Sequence, residues 1–564
     1  MKTLKKTLAL ILSLVMALSV FSLCAAAQDG GLKISVASDI HLSKVEKISD
    51  RYKDGSYGNK GSMLSLTNEA FAIFDSFMKD SAAAGAKYIF LSGDLANAGT
   101  AEQHMMIAAY LESFEKESGI KIFVVPGNHD YYGLKQEPIK TFREIYKNAG
   151  YSDAYAVDEK TNSYAADLDD DYTLLAIDSA IPGDNGSELS AELLSWIEAQ
   201  AKAASSRGRK IIGMMHHPVV AHFSAQEKIL KDGLVKNWKK IAEKFADLGI
   251  QYIFTGHKHS ADIGKIETAS ANAIYDIGVP TLLNYPLAYR FVTFFGDKVE
   301  VAERNVTKIN NPLLLPEGYS DEALLKVTTD TQTYAEEVFD LSLRDMFNSF
   351  MKADRLCKLV GKDDEKLKAV FETVCEKAKY LVDLPLYGEG ETVESIAKNY
   401  DITLPQSGYK TGFELISAMF KSYCAGDENF SANSTEMQLG LRCIAILLNY
   451  SLEGTSSDTK VLFLEAMTAA FGGDIAGVSV AITAIVMKYG DDFGIEVVSA
   501  FLAPVLEDIF VDSEPGDRNV TLPAYSKVNK GDTVIKTLTF FEKISAFFLK
   551  IWNYIKGIFS AIKI

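Results

Sequence analysis

An α/β layered fold is expected for the first half of this 564-residue chain, followed by a mainly α-helical second half. Three observations carry that expectation. Between about residues 32 and 305, short β-rich runs alternate with helix-like segments, the signature of stacked sheets and helices. Past about residue 310, long helical patterns take over. All eight histidines fall at or before His259, most of them in short polar blocks directly after apolar runs.

Taken in order, the chain begins with Lys2, Lys5 and Lys6, an apolar run over 8–23, and Ala25-Ala26-Ala27. That layout is expected of a cleavable secretory signal over residues 1–27, with export to the medium or cell surface. The run is short for a membrane anchor. Strands are expected at 32–37, 88–91, 122–125, 172–177, 211–215 and 252–254, each rich in Ile, Val, Phe, Tyr or Leu and each ending in a polar or glycine block. Helices are expected between them at 65–84, 102–118 and 190–205. One domain is therefore placed at 28–310.

A helical domain is expected over 311–511, with helices at 335–356, 365–381, 412–423, 436–450, 460–471 and 474–508, the last broken near Gly490. Pro515, Gly516, Pro523 and Gly531 mark 512–539 as a linker. In 540–564, apolar residues recur at helical spacing, with Lys543, Lys550, Lys556 and Lys563 mostly outside the stripe. This segment is expected to be an amphipathic helix. It either lies on a membrane surface or cell-envelope polymer or docks on the helical domain.

The net charge of −17 argues against nucleic-acid binding through a basic face. Once the signal is removed, the cysteines are Cys357, Cys375, Cys424 and Cys443, which export permits to pair or to stay as buried thiols. None lies near the histidine blocks.

Those blocks read Ser38-Asp39-Ile40-His41, Ser92-Gly93-Asp94, Gly127-Asn128-His129-Asp130, Met215-His216-His217-Pro218 and Gly256-His257-Lys258-His259. Each follows a strand candidate, and sheets of this kind bind ligands beyond the carboxyl ends of their strands. Carboxylate, amide oxygen and imidazole together suit two adjacent divalent or trivalent cations, with Fe, Mn, Zn or Co favoured over Mg or Ca.

The set and its order resemble the calcineurin-like metallophosphoesterase superfamily, whose pattern is D-x-H, G-D, G-N-H-D/E, H and G-H-x-H. The resemblance covers about residues 33–300, and the wording of Ser38–Leu42 and Met215–Pro218 is most similar to the cyclic-nucleotide phosphodiesterase branch. It implies a layered β-sandwich flanked by helices. It also implies that Asp39, His41 and His259 hold one metal, that Asn128, His216 and His257 hold the other, and that Asp94 bridges them. His216 is preferred to His217 because the family places the ligand two residues before Pro218. A hydroxide held between two such cations forms at neutral pH and attacks phosphorus. The resemblance sets His129 beside the leaving-group oxygen, and Asp130 directly after it is expected to orient that ring.

The expected activity is hydrolysis of phosphodiesters, cyclic nucleotides among them. The alternatives are a phosphomonoesterase or nucleotidase on the same site, and a surface-binding protein with a vestigial site. His104 is expected to be an ordinary helix residue, and His222 an exposed loop residue unless it reaches the substrate phosphate. Arg290 is expected to pair with a carboxylate, and Tyr131 and Tyr132 to stack a nucleobase or simply pack. The polar, Gly-rich stretch 44–61 beside the first block is expected to form part of the substrate wall.

Overall fold

The structure, a computed structural model, describes residues 31–43, 65–223, 226, 233–360, 364–426, 428–456, 458–460, 462, 463, 466, 495–512 and 515–529. The signal segment 1–27, the 44–61 stretch, most of 460–494 and the 540–564 segment lie outside the described residues.

Among the described residues, thirteen strands form two sheets. They are β1 (Leu32–Ala37), β2 (Tyr88–Leu91), β3 (Lys121–Val124), β4 (Ala154–Val157), β5 (Tyr164–Asp167), β6 (Tyr172–Ile177), β7 (Lys210–Met215), β8 (Ile250–Thr255), β9 (Asp262–Glu267), β10 (Ala273–Gly278), β11 (Ala288–Phe294), β12 (Lys298–Asn305) and β13 (Val520–Pro523). The first sheet runs β13-β12-β11-β1-β2-β3 and the second β4-β5-β6-β7-β8-β10-β9. Strands β1, β2 and β3 are mutually parallel, as are β6, β7, β8 and β10.

The two sheets pack face to face, and the period-2 alternation of side chains decides what each face meets. Tyr88 and Phe90 of β2 point into the sandwich with Ile34, Val36 and Phe123, against Leu174, Ile212, Met214 and Phe254 of the second sheet. Ile89 and Leu91 point the other way, onto Phe74, Phe77, Ile107 and Leu111 of the helices Ala70–Ala83 and Ala101–Ser118. The second sheet is covered likewise, Leu175, Ile211 and Ile253 packing on Leu193, Ile197 and Phe245 of the helices Ala191–Ser206 and Trp238–Asp247. The outcome is the layered α/β sandwich, with parallel strand ends gathered at one edge.

The second half is helical. The expected 335–356 helix is two, Thr331–Phe350 and Ala353–Val360. Glu365–Asp383, Gly412–Ala425 and Thr435–Leu452 begin where Asp364, Thr411 and Ser434 accept from backbone amides of their first turns. Ile495–Phe510 begins after Gly490. Phe371, Leu439, Leu441 and Ile446 lie in their shared core. Among the described residues, no disulfide joins Cys357, Cys375, Cys424 or Cys443. Among the described residues, no helix is long and apolar enough to cross a membrane.

One expectation is corrected here. Residues 512–539 are not simply a linker. Val520–Pro523 pairs antiparallel with β12, completing the first sheet from the far end of the sequence. Beyond it, the Tyr525 hydroxyl donates to the Ile211 carbonyl and Ser526 N to Gln251 Oε1, each at 2.8 Å. The alternation in Val520-Thr521-Leu522 buries Leu522, and Pro523 is tolerated because β13 is an edge strand. The Arg290 charge acts inward on the Asp517 carboxyl, which it pulls down, as expected of a carboxylate partner. Its guanidinium is buried and donates to the carbonyl oxygens of Gly278 and Asp517.

Asp517 also accepts from Ile263 N at 2.7 Å, and Ala261 N donates to the Cys424 carbonyl at 3.0 Å, so the two halves are joined at this point. Burial, reinforced by Asp517, Asp262 and Asp512, pushes the Glu428 carboxyl up to about 9. Burial with Asp262 and Asp512 raises Asp517 to about 8, while Arg290 pulls it back. Both groups keep a proton in the folded chain that the unfolded chain releases at ordinary carboxylate pH. The stability they contribute is therefore full at low pH and drains as pH rises towards 8–9. Glu428→Gln is expected to match the parent in thermal unfolding near pH 5 and to gain on it steadily up to pH 9. A difference in Tm that stays constant across that range would refute this account of the junction.

Candidate metal centre

Each histidine block sits at the carboxyl end of a parallel strand. Asp39 and His41 follow β1, Asp94 follows β2, Asn128 and His129 open the short helix Asn128–Tyr132 after β3, His216 follows β7, and His257 and His259 follow β8. Backbone bonds join four of these turns in two pairs. Asp39 N donates to Gly93 O at 3.1 Å, His41 N to Asp94 O at 2.9 Å, and Gly256 N to His216 O at 2.8 Å. Asp39, His41, Asp94, His257 and His259 all adopt positive φ, from 37° to 68°. That left-handed region costs an L-residue about 1 kcal/mol or more, and Asp and His are among the residues enriched there. Such strain clusters where side chains must be aimed.

Two glycines make the approach possible. A Cβ on Gly127 would lie 2.2 Å from Asp94 Oδ1, and one on Gly93, itself at φ 95°, 2.6 Å from His216 Nδ1.

The side chains fall into two groups. In the first, His259 Nε2 lies 3.2 Å from Asp39 Oδ1 and 3.3 Å from His41 Nε2. In the second, His257 Nδ1 lies 3.3 Å from His216 Nε2. Asp94 Oδ2 faces both, 3.8 Å from His41 Nε2 and 3.4 Å from His216 Nε2. Its other oxygen accepts from His129 N at 2.8 Å. Asn128 is 3% exposed, and its Oδ1 has no hydrogen-bond partner. A buried amide oxygen without a donor, beside imidazole nitrogens that face each other in pairs, is what a bound cation would satisfy. The residues present fit a two-cation centre.

The charge states agree with this. Burial alone would raise the Asp94 carboxyl, but His216 and His41 outweigh it and hold it well below the usual range. Asp39 is held down in the same way by His259 and His216. Burial lowers His41 to about 4, against the pull of Asp94, and burial with repulsion from His216 lowers His257 to about 4. Near neutral pH, then, carboxylates stand ionised beside two neutral imidazoles, the forms that ligate metal. His216 differs: burial opposes its protonation, but Asp94 and Asp39 raise it to about 9. A cation taking that nitrogen must displace a proton.

A sequence model of this chemistry matches one stretch of the chain, described as calcineurin-like phosphoesterase. Residues 32–261 belong to that family. The phosphoesterase domain is thus that of a metal-dependent phosphoester hydrolase. Its fold is similar to a dimetal phosphatase from Danio rerio, at 11% identity over 49% of this chain and 97% of that one, TM-score 0.38. It is also similar to the purple acid phosphatase PPD1 from yellow lupin seeds, at 12% identity over 50% of this chain and 53% of that one, TM-score 0.35. No curated protein matches the chain.

The phosphoesterase domain brings the seven expected metal-site residues to this one edge. His217 lies beside His216 and His257, but its nitrogens are engaged elsewhere. Nδ1 lies 2.9 Å from the Ser179 hydroxyl and Nε2 3.3 Å from the Asn185 carbonyl. The His129 ring stands 4.6 Å from that of His41, and its Nδ1 donates to the Asn97 carbonyl at 2.9 Å, leaving Nε2 as the nitrogen to offer a substrate.

Asp130 is a correction. It does not orient the His129 ring; Asn97 does. The Asp130 carboxylate is fully buried and accepts from the backbone amides of Leu95, Ala96 and Gly127, tying the Asp94 turn to the Asn128 turn. His104 is structural, bonded to the Tyr146 hydroxyl and the Asp130 carbonyl at 2.9 Å each. His222 is neither exposed nor aimed at the centre: its side chain is buried and pairs with Asp262 at 2.5 Å. Tyr131 packs, donating to Asp178. Tyr132 is 42% exposed beside the His129 ring.

Sequence reasoning missed Asp276, in β10. Its buried carboxylate accepts from Val219 N at 2.7 Å, from Val220 N at 2.9 Å, and from the Thr255 hydroxyl. It thereby fixes the turn after His216 to the end of the strand that delivers His257. Asp276→Ala strands three buried donors, each worth about 1–3 kcal/mol. The variant is expected to melt well below the parent and to lose metal affinity about tenfold or more, the usual cost of removing support behind ligands. Calorimetry with a metal titration checks both, and unchanged affinity would remove Asp276 from the site.

Proposed function

We propose that this chain is an exported phosphodiesterase, with cyclic nucleotides in its substrate range and two cations drawn from Fe, Mn, Zn or Co in its centre. When bound, the cations supply a nucleophile at neutral pH and neutralise the phosphoryl oxygens. Asp39, His41 and His259 would hold one, Asn128, His216 and His257 the other, with Asp94 shared. His129 Nε2 would donate to the leaving oxygen.

One observation favours a diester over a monoester. Among the described residues, the cation between the two ligand candidates His257 and His259, Lys258, packs on an aromatic ring. Lys258 lies over the Phe223 ring at 5.0 Å. A monoester dianion would gain from such a partner, whereas a diester monoanion has no need of one. Tyr132, half-exposed beside His129, offers an aromatic face to a second ester group.

The test is metal analysis of purified protein with kcat/KM for bis-(p-nitrophenyl) phosphate against p-nitrophenyl phosphate and for cyclic AMP against AMP. Diesters are expected to lead in both pairs. Monoester preference in both would make the protein a phosphomonoesterase, and two bound metals without turnover would favour a vestigial site. The helical spacing of apolar residues and the lysines of 540–564 support placement at a membrane surface or cell envelope. Truncation before Phe540 should abolish association with anionic vesicles while sparing turnover of a soluble ester.

A further inference from the structure

We propose that Tyr132 is a positioning residue: its hydroxyl fixes which end of the Asn128 amide faces the cation centre. The inference rests on the reading of Asn128 as a cation ligand. Asn128 and Tyr132 occupy positions i and i+4 of the helix Asn128–Tyr132 and so share a face. An asparagine amide can present an oxygen or an NH2 group in nearly the same space, yet only the oxygen can ligate a cation. Something must choose between them.

Here Asn128 Nδ2 donates to the Tyr132 hydroxyl oxygen at 2.8 Å, and Oδ1 is left buried and without a partner. The tyrosine hydroxyl has one proton, and that proton is directed at Asn185 Oδ1. Towards Asn128 it therefore shows only a lone pair. If the amide flipped, its oxygen would meet that lone pair and its NH2 would face the cations, so both ends would be wrong at once.

Asn185 is itself anchored, because its carbonyl lies 3.3 Å from Nε2 of His217, the neighbour of His216. A single hydroxyl thus links the turn carrying Asn128 and His129 to the loop after β6, and through that loop to the His216 block.

The experiment is stepwise Co2+ loading of the metal-stripped full chain, followed by d–d absorption, for the parent, Tyr132→Phe, Asn128→Asp and the double variant, with Asn128→Ala as a reference. Tyr132→Phe keeps the ring at a 42% exposed position, so the fold is expected to hold. It should weaken one of the two Co2+ steps by about tenfold and leave the other unchanged. A carboxylate presents oxygen at either end, so in the Asn128→Asp background the same change should cost less than about twofold. An equal cost in both backgrounds, or no cost with Asn128 present, overturns the positioning role. Asn128→Ala binding both Co2+ ions as tightly as the parent would overturn the ligand reading itself, which is a distinguishable failure.

Discussion

Asp94→Ala is expected to empty both halves of the centre and to abolish turnover with them. Asp94 Oδ2 lies within 3.8 Å of His41 Nε2 on one side and 3.4 Å of His216 Nε2 on the other, and Oδ1 holds the backbone of His129. No other carboxylate among the described residues touches both imidazole groups and the His129 turn together. Alanine removes the shared charge, leaves His216 without its strongest partner, and frees the turn that aims His129. Turnover should fall by at least about 10³-fold, since losing a single charge-stabilising donor from an active site already costs 10²–10³. Asp94→Asn separates the contributions: it can still accept from His129 N but has no charge to share, so it should keep the turn and lose metal. Metal content by atomic emission, read beside phosphoester turnover, decides the matter. Two full equivalents of metal in Asp94→Ala would mean that Asp94 does not bridge.

Much of the domain was legible because its candidate ligands sit where strands end. An apolar run such as Tyr88–Leu91 followed by Ser-Gly-Asp declares both the strand and the turn that carries the carboxylate. The antiparallel strands were harder to read. Asp262–Glu267 and Lys298–Asn305 carry charges on a half-exposed face and have no long apolar run, and Val520–Pro523 ends in a residue that argues against a strand. Their pairing is decided by partners far along the chain, which local pattern does not contain.

The same limit governs the site. Asp276 sits within a strand, and its partners are mainly backbone amides, which leave no mark in the sequence. The group that orients His129 is a backbone carbonyl, equally invisible. Asp130 misled for a geometric reason. Adjacent residues on a helix do not face the same way, so the neighbour of His129 in sequence points into the protein while the ring points out. The i, i+4 spacing of Asn128 and Tyr132 was the one signal of this kind that the sequence did carry.

His129→Ala should behave in the opposite way to Asp94→Ala: metal retained, turnover slowed. The ring is tethered by Nδ1 to the Asn97 carbonyl and stands edge-on to His41, so the cation-facing groups do not depend on it. What it offers is Nε2, on a half-buried side chain at the rim of the centre. General-acid assistance is worth about 10²–10⁴-fold, and the loss should fall in that range. The loss should also depend on the leaving group. A p-nitrophenolate departs without a proton, whereas an alkoxide or a nucleoside oxygen does not. A plot of log kcat against leaving-group pKa should therefore be steeper for the variant than for the parent. A uniform loss across leaving groups would point to charge stabilisation rather than proton donation. An emptied centre would make His129 a ligand, which its position within 4.8 Å of His41 and Asp94 leaves sterically open. Metal content and the leaving-group slope together separate the three roles, because only a proton donor changes the slope while sparing the metals.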